Sequence, residues 1–127
     1  MKNRRFRERL GFALAGWRAG WRRERSFRAQ TLTGIGALVA LLILRPAPAW
    51  WANVAILVAL VLALELLNSA IEAVIDLLHP GLHDEIKAAK DMVAGAVLAI
   101  SAAAVVTAGA LMVDRGPAVL REWGAVR

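Results

Sequence analysis

Apolar and polar positions are sorted into long blocks along this chain. From Ala29 to Leu44 no charged residue occurs, and Arg45, Pro46 and Pro48 close the run. A second apolar run opens at Trp50 and Trp51, stays apolar to Leu64, and continues with helical spacing to Leu78. A third lies between Asp91 and Asp114, uncharged throughout and rich in Ala and Gly. Runs near 20 residues cross the hydrocarbon core as helices, so these predict spans at 28–45, 50–78 and 88–113. The first is short, and snorkelling by Arg28 and Arg45 would close the gap. Trp50 and Trp51 are placed as interface anchors. Small residues in the third run permit close packing and predict a helix inside a bundle. Ahead of the spans, Phe6, Leu10, Leu14, Trp17 and Trp21 recur at helical spacing, with arginines mostly away from that stripe. This predicts a cationic amphipathic helix lying in the membrane interface over 1–25. The residues 114–127 read as a tail. The fold expected is all-α and integral to the membrane, one domain over 1–127.

Composition agrees and adds direction. Hydrophobic residues make up 59% of the 127, above the usual soluble share. Cysteine is absent, which excludes disulfides and thiolate metal sites. Residues 1–28 hold ten Lys/Arg against two Glu. A basic arm beside apolar runs suits an anionic membrane surface. It does not suit nucleic acid, for which an aromatic-interleaved module would be expected. The arm lacks a small-residue cleavage site, so it is not read as a signal peptide. Its charge orients the N-terminus to the cytoplasm. Three spans then put the 79–90 loop inside and the tail outside. The tail's Arg115, Arg121 and Arg127 oppose this assignment only mildly.

One stretch of the second span breaks its apolar character. "ELLNSAIEAVID" carries Glu65, Asn68, Ser69, Glu72 and Asp76. At 100° per residue, with Glu65 at zero, the other four fall at about 300°, 40°, 340° and 20°. All share one narrow face, while Leu, Ile, Val and Ala fill the rest. Ionisable groups at membrane depth are costly unless paired or wetted, so they mark function by default. Glu65 lies about 21 Å along the helix from Trp51, within the inner leaflet. The face therefore opens to the cytoplasm, where Glu24, Lys87, Lys90 and Asp91 also fall. Carboxylates, an amide and a lysine suit Mg²⁺ shared with a polyphosphate. One remaining carboxylate can take a proton from a hydroxyl nucleophile. No Walker glycine loop and no protein-kinase signature is present.

Plainer readings stand beside these. Glu65 and Asn68 can be hydrogen-bonding glue between helices. Glu72 and Asp76 can be a solvated helix end, Lys90 and Asp91 a helix start, and Glu24 a surface ion pair. His79 and His83 read as plain loop residues, and the Gly16/Gly20 spacing as incidental. Three functions compete: a lipid kinase, a small ion or proton transporter, and a non-catalytic membrane scaffold. The one-sided polar face favours the first.

The chain resembles the prokaryotic diacylglycerol kinase family over about residues 4–113. The resemblance is carried by "ELLNSAIEAVID", by "AAKDM" at Ala88–Met92, and by "GWRAGWRRERSFRAQ" at Gly16–Gln30. It implies a homotrimer of subunits with three transmembrane helices and one surface helix each. It further implies active sites at the membrane–cytoplasm interface, built from neighbouring subunits. ATP would be the co-substrate, Mg²⁺ the cofactor, and diacylglycerol the acceptor in a bacterial inner membrane. A related branch phosphorylates undecaprenol.

By resemblance, Glu65 is the general base, and Asn68, Lys90 and Asp91 act with it. Glu24 and Glu72 hold the metal and nucleotide. Arg5, Phe12, Asp76, Gly81, Leu82, His83, Lys90 and Asp91 line the nucleotide. Arg5, Trp21, Ser26, Phe27, Arg28 and Glu65 line the lipid. Phe12 stands where some members have tyrosine, and Gln30 where some have glutamate.

Overall fold

The computed structural model describes residues 5–78 and 84–126. They form four helices in chain order: α1 (Phe6–Arg23), α2 (Arg25–Leu44), α3 (Pro48–Leu78) and α4 (Asp84–Val126). Among the described residues there is no strand. Three of the four, α2, α3 and α4, are long and apolar enough to cross a membrane. The protein is a membrane protein.

A single residue, Glu24, separates the surface helix from the first span. Its backbone is extended (φ −116°, ψ 112°). Its N–H donates to the Gly20 carbonyl at 2.9 Å, and its own carbonyl accepts from the Arg28 N–H at 3.2 Å. One residue thus ends α1 and starts α2. Arg28 secures the turn, since its Nη1 donates to the carbonyls of Trp21 (3.0 Å) and Arg22 (3.4 Å). A cation at a helix C-terminus satisfies orphan carbonyls and opposes the dipole. This capping role explains why α2 begins at Arg25, three residues before the start expected from charge alone.

α2 ends where the apolar pattern stops. Arg45 takes the left-handed conformation (φ 49°, ψ 54°) and returns its N–H to the Leu41 carbonyl. Pro46, lacking an N–H, cannot prolong the helix. α3 starts at Pro48, a residue pre-set for a first helical position. At 31 residues it is about 46 Å long, more than the bilayer core requires. Its final turns, with Glu72 and Asp76, therefore extend past the apolar run.

α4 departs most from the sequence reading. It begins at Asp84 rather than 88, with Asp84 and Glu85 in a first turn that favours negative charge. It also passes straight through residues 114–126, which read as tail, with Pro117 inside it. Side-chain contacts hold this extension. Trp50 Nε1 donates to Asp114 Oδ2 at 3.0 Å. Arg115 Nε donates to the Leu44 carbonyl at 2.8 Å, and its Nη2 lies 3.7 Å from Glu122 Oε1. Val119 is buried with Leu41, Leu44, Val54 and Leu111. The loss of one backbone bond at Pro117 is offset by these contacts.

Two glycines set helix spacing. A Cβ at Gly34 would lie 2.8 Å from Val58 Cγ1, and one at Gly20 would lie 2.5 Å from Leu66 Cδ2. Both mark places where α3 packs too close for a side chain. Within one chain Gly16 has open space, whereas Gly20 is a packing residue. Within one chain α4 is the least covered span, with 6% of its apolar window buried against 22% for α2 and α3. The expectation of a helix inside a bundle is not met by a single chain. The exposed side of α4 carries large residues such as Leu98, Val105 and Val106 as well as small ones, while Ala104 and Thr107 line a space shared with α2 and α3.

Candidate active site

Glu65 is the one buried charged residue among those described, with 4% exposure. It faces the first turn of α2, where Ser26 Oγ donates to Glu65 Oε2 at 3.0 Å. That turn is firmly placed. Phe27, next to Ser26, is 1% exposed and meets Trp17 edge-on, with ring centroids 5.4 Å apart. An aromatic pair of this geometry adds about 1 kcal/mol to simple burial. Together with the Arg28 cap, it holds the α1–α2 junction against α3.

The remainder of the polar face follows α3 outward. Asn68, Ser69 and Glu72 are half-buried and Asp76 is exposed. Beside the face opens a cleft of about 370 Å³ between α1 and α3, lined by Gly20, Arg23, Glu24, Leu66, Ser69 and Ala73 among others. The small residues on both walls make it possible. Glu24 thus enters the same cleft as Ser69, next to the face that bears Glu72. These are two carboxylates, and no group of three or more His/Cys/Asp/Glu occurs among the described residues. Mg²⁺ takes one or two carboxylates and fills its sphere with phosphate oxygens and water, so these two could hold it only together with a phosphate-bearing substrate.

α4 contributes unequally. Lys90 Nζ reaches across to Asp76 Oδ1 at 3.1 Å, joining α4 to the end of the acidic face. Asp91 turns instead to Lys87 of its own helix, 2.7 Å away. Arg5 and Phe12, both exposed, are not brought to this cluster. Along α1 they stand about 28 Å and 18 Å from Glu24. Trp21 is partly exposed near the C-terminal end of α1 and gives its carbonyl to Arg28. Gly81, Leu82 and His83 lie outside the described residues.

The cleft has an acidic and a basic edge in Glu24 and Arg23. Glu65 is buried on the polar face of the same helix that supplies Ser69 to it, and a buried carboxylate can act as a proton acceptor. The family model described as prokaryotic diacylglycerol kinase matches residues 11–112. The chain belongs to the prokaryotic diacylglycerol kinase family. The diacylglycerol kinase of Synechocystis sp. is 39% identical, over 80% of this chain and 58% of the relative. The diacylglycerol kinase of Escherichia coli K12 is 37% identical, over 76% of this chain and 80% of the relative. This chain thus spans little more than half of the cyanobacterial relative and most of the E. coli one. The family is one of lipid kinases. The matched segment includes Glu24, Glu65, Asn68, Glu72, Asp76, Lys90 and Asp91. It leaves out Arg5 and the extension of α4.

Three polar contacts were not legible, or barely so, in the sequence. The Ser26–Glu65 bond joins residues 39 apart, and a lone serine in an arginine-rich segment gives no sign of its partner. The Asp114–Trp50 and Arg115–Leu44 contacts had one weak signal, a charged pair of residues closing the third apolar run.

Proposed function

We propose that this chain transfers the γ-phosphate of ATP to the hydroxyl of diacylglycerol, giving phosphatidic acid at the cytoplasmic face of a bacterial inner membrane. The observation that carries this reading is Glu65, a single buried carboxylate on the matched face. The N-terminal excess of arginine supports the orientation. In the proposed step Glu65 takes the proton of the lipid hydroxyl. The hydroxyl oxygen bonds to the γ-phosphorus, and the bond from that phosphorus to the bridging oxygen breaks, releasing ADP. Glu24 and Glu72 would hold Mg²⁺ together with the phosphate oxygens, where the ion offsets their negative charge. Lys90 exchanges Asp76 for the γ-phosphate, and Asn68 orients the acceptor beside Glu65.

A homotrimer with sites shared between subunits is part of the proposal. The exposure of α4 supports it, since only 6% of its apolar window is buried within one chain and its many Ala and Gly positions allow close helix packing. The distance of Arg5 and Phe12 from Glu24 within one chain supports it too. They would complete a site on a neighbouring subunit. A transporter would call for ionisable groups on both sides of the midplane, and the buried acid lies on one side only.

The test is lipid phosphorylation by the purified protein, with MgATP and either diacylglycerol or undecaprenol supplied. Phosphatidic acid from the first reaction alone supports the proposal. Product mainly from undecaprenol transfers the chemistry to the other acceptor. No product from either, in a correctly assembled protein, refutes the kinase reading. Glu65→Gln is expected to lower kcat by at least about 100-fold with assembly unchanged, and full activity would remove Glu65 as the base.

A further inference from the structure

We infer that Ser26 is a positioning residue for Glu65, fixing which carboxylate oxygen receives the proton of the lipid hydroxyl. The inference rests on the reading of Glu65 as the base. Its own support is geometric. Ser26 Oγ donates to Oε2 of Glu65 at 3.0 Å, and Glu65 is almost wholly buried. A carboxylate torsion is broad and roughly two-fold, so burial alone leaves both oxygens free to exchange places. A donor on one of them ends that freedom. Oε2 is engaged by Ser26, and Oε1 is the atom that takes the proton.

The donor itself is held still. Ser26 sits in the first turn of α2, between Glu24, whose backbone joins two helices, and Phe27, which is locked against Trp17. Arg28 ties the same turn back to α1. Placement of the base is thereby coupled to the junction that also delivers Glu24 to the cleft. The balanced step is unchanged. The lipid O–H proton goes to Oε1 as the oxygen–phosphorus bond forms and the bond to ADP breaks, while Ser26 keeps its own proton on Oγ, hydrogen-bonded to Oε2.

Positioning makes demands that packing does not. Ser26→Ala is expected to lower kcat about tenfold, as misorientation of a general base does, with the KM for MgATP unchanged. Ser26→Thr keeps the hydroxyl and is expected to stay within about twofold of wild type. A second readout uses a diacylglycerol analogue whose hydroxyl is made more acidic by neighbouring fluorine. A more acidic nucleophile depends less on the base, so the deficit of Ser26→Ala should shrink with it. Thermal unfolding and oligomeric state of each variant are measured alongside. The inference is overturned if Ser26→Ala keeps full kcat. It is also overturned if Ser26→Thr is as impaired as Ser26→Ala, or if the deficit is the same for both lipids. If Glu65→Gln is fully active, the base reading itself falls, and that outcome is separate from any result with Ser26.

Discussion

At the scale of single residues, neighbours with similar labels in the sequence have different surroundings. Lys90 and Lys87 are both interfacial lysines on α4, yet one bridges to α3 and the other pairs within its own helix. Both pairs are exposed and screened by solvent, so neither is a main source of stability. Asp76→Asn should therefore change unfolding in detergent by less than about 1 kcal/mol. If Lys90 supplies positive charge to the phosphates as proposed, Lys90→Ala should lower kcat about tenfold or more. Steady-state kinetics beside a denaturation series checks both. Equal losses from the two substitutions would mean that the bridge itself, rather than the lysine, matters. The helical spacing of Glu65, Asn68, Glu72 and Asp76 was readable in advance. So was the opening of the face from membrane depth toward solvent, whereas the covering of Glu65 by the first turn of α2 was not, because it depends on which backbones approach.

At the scale of elements, the closest approaches decide the geometry. Gly34 meets Val58 Cγ1, a stiff β-branched side chain, while Gly20 meets Leu66 Cδ2, the far end of a flexible one. Leucine can turn aside where valine cannot. Gly34→Ala is therefore expected to destabilise the fold by about 1–3 kcal/mol, and Gly20→Ala by less. Thermal unfolding of the two variants measures the difference, and the reverse order would contradict the packing of α2 on α3. Gly20→Ala also narrows the cleft that Glu24 enters. Its effect should appear more in the KM for MgATP than in the melting temperature.

At the scale of the whole molecule, the chain is tied at both ends of the bundle. The inner tie is the α1–α2 junction with Ser26 and Glu65. The outer tie joins Asp114, Arg115 and Val119 of α4 to Trp50 and to the last turn of α2. Arg115→Ala removes a charge-assisted bond to a carbonyl at a helix end, a loss of about 1–3 kcal/mol. It should lower thermal stability while leaving kcat close to wild type, since Trp50 lies about 22 Å along α3 from Glu65. A large fall in kcat with unchanged stability would show that the two ties communicate. The extension lies beyond the matched family segment, so this stabilisation belongs to the chain's own C-terminal sequence.

The sequence by itself determined the membrane class, the three spans, the surface helix and the acidic face. Each is a local pattern: apolar length, helical period and charge placement act through near neighbours along the chain. Tertiary structure decided which of those polar groups share a site. Glu65 received its partner from a serine 39 residues away, and Lys90 was directed to Asp76 in preference to any nearer acid. It also decided that residues 114–126 form helix, because the contacts that hold them come from α2 and α3. These are choices between partners of like chemistry, made by which backbones can approach, and a one-dimensional pattern does not record that distance.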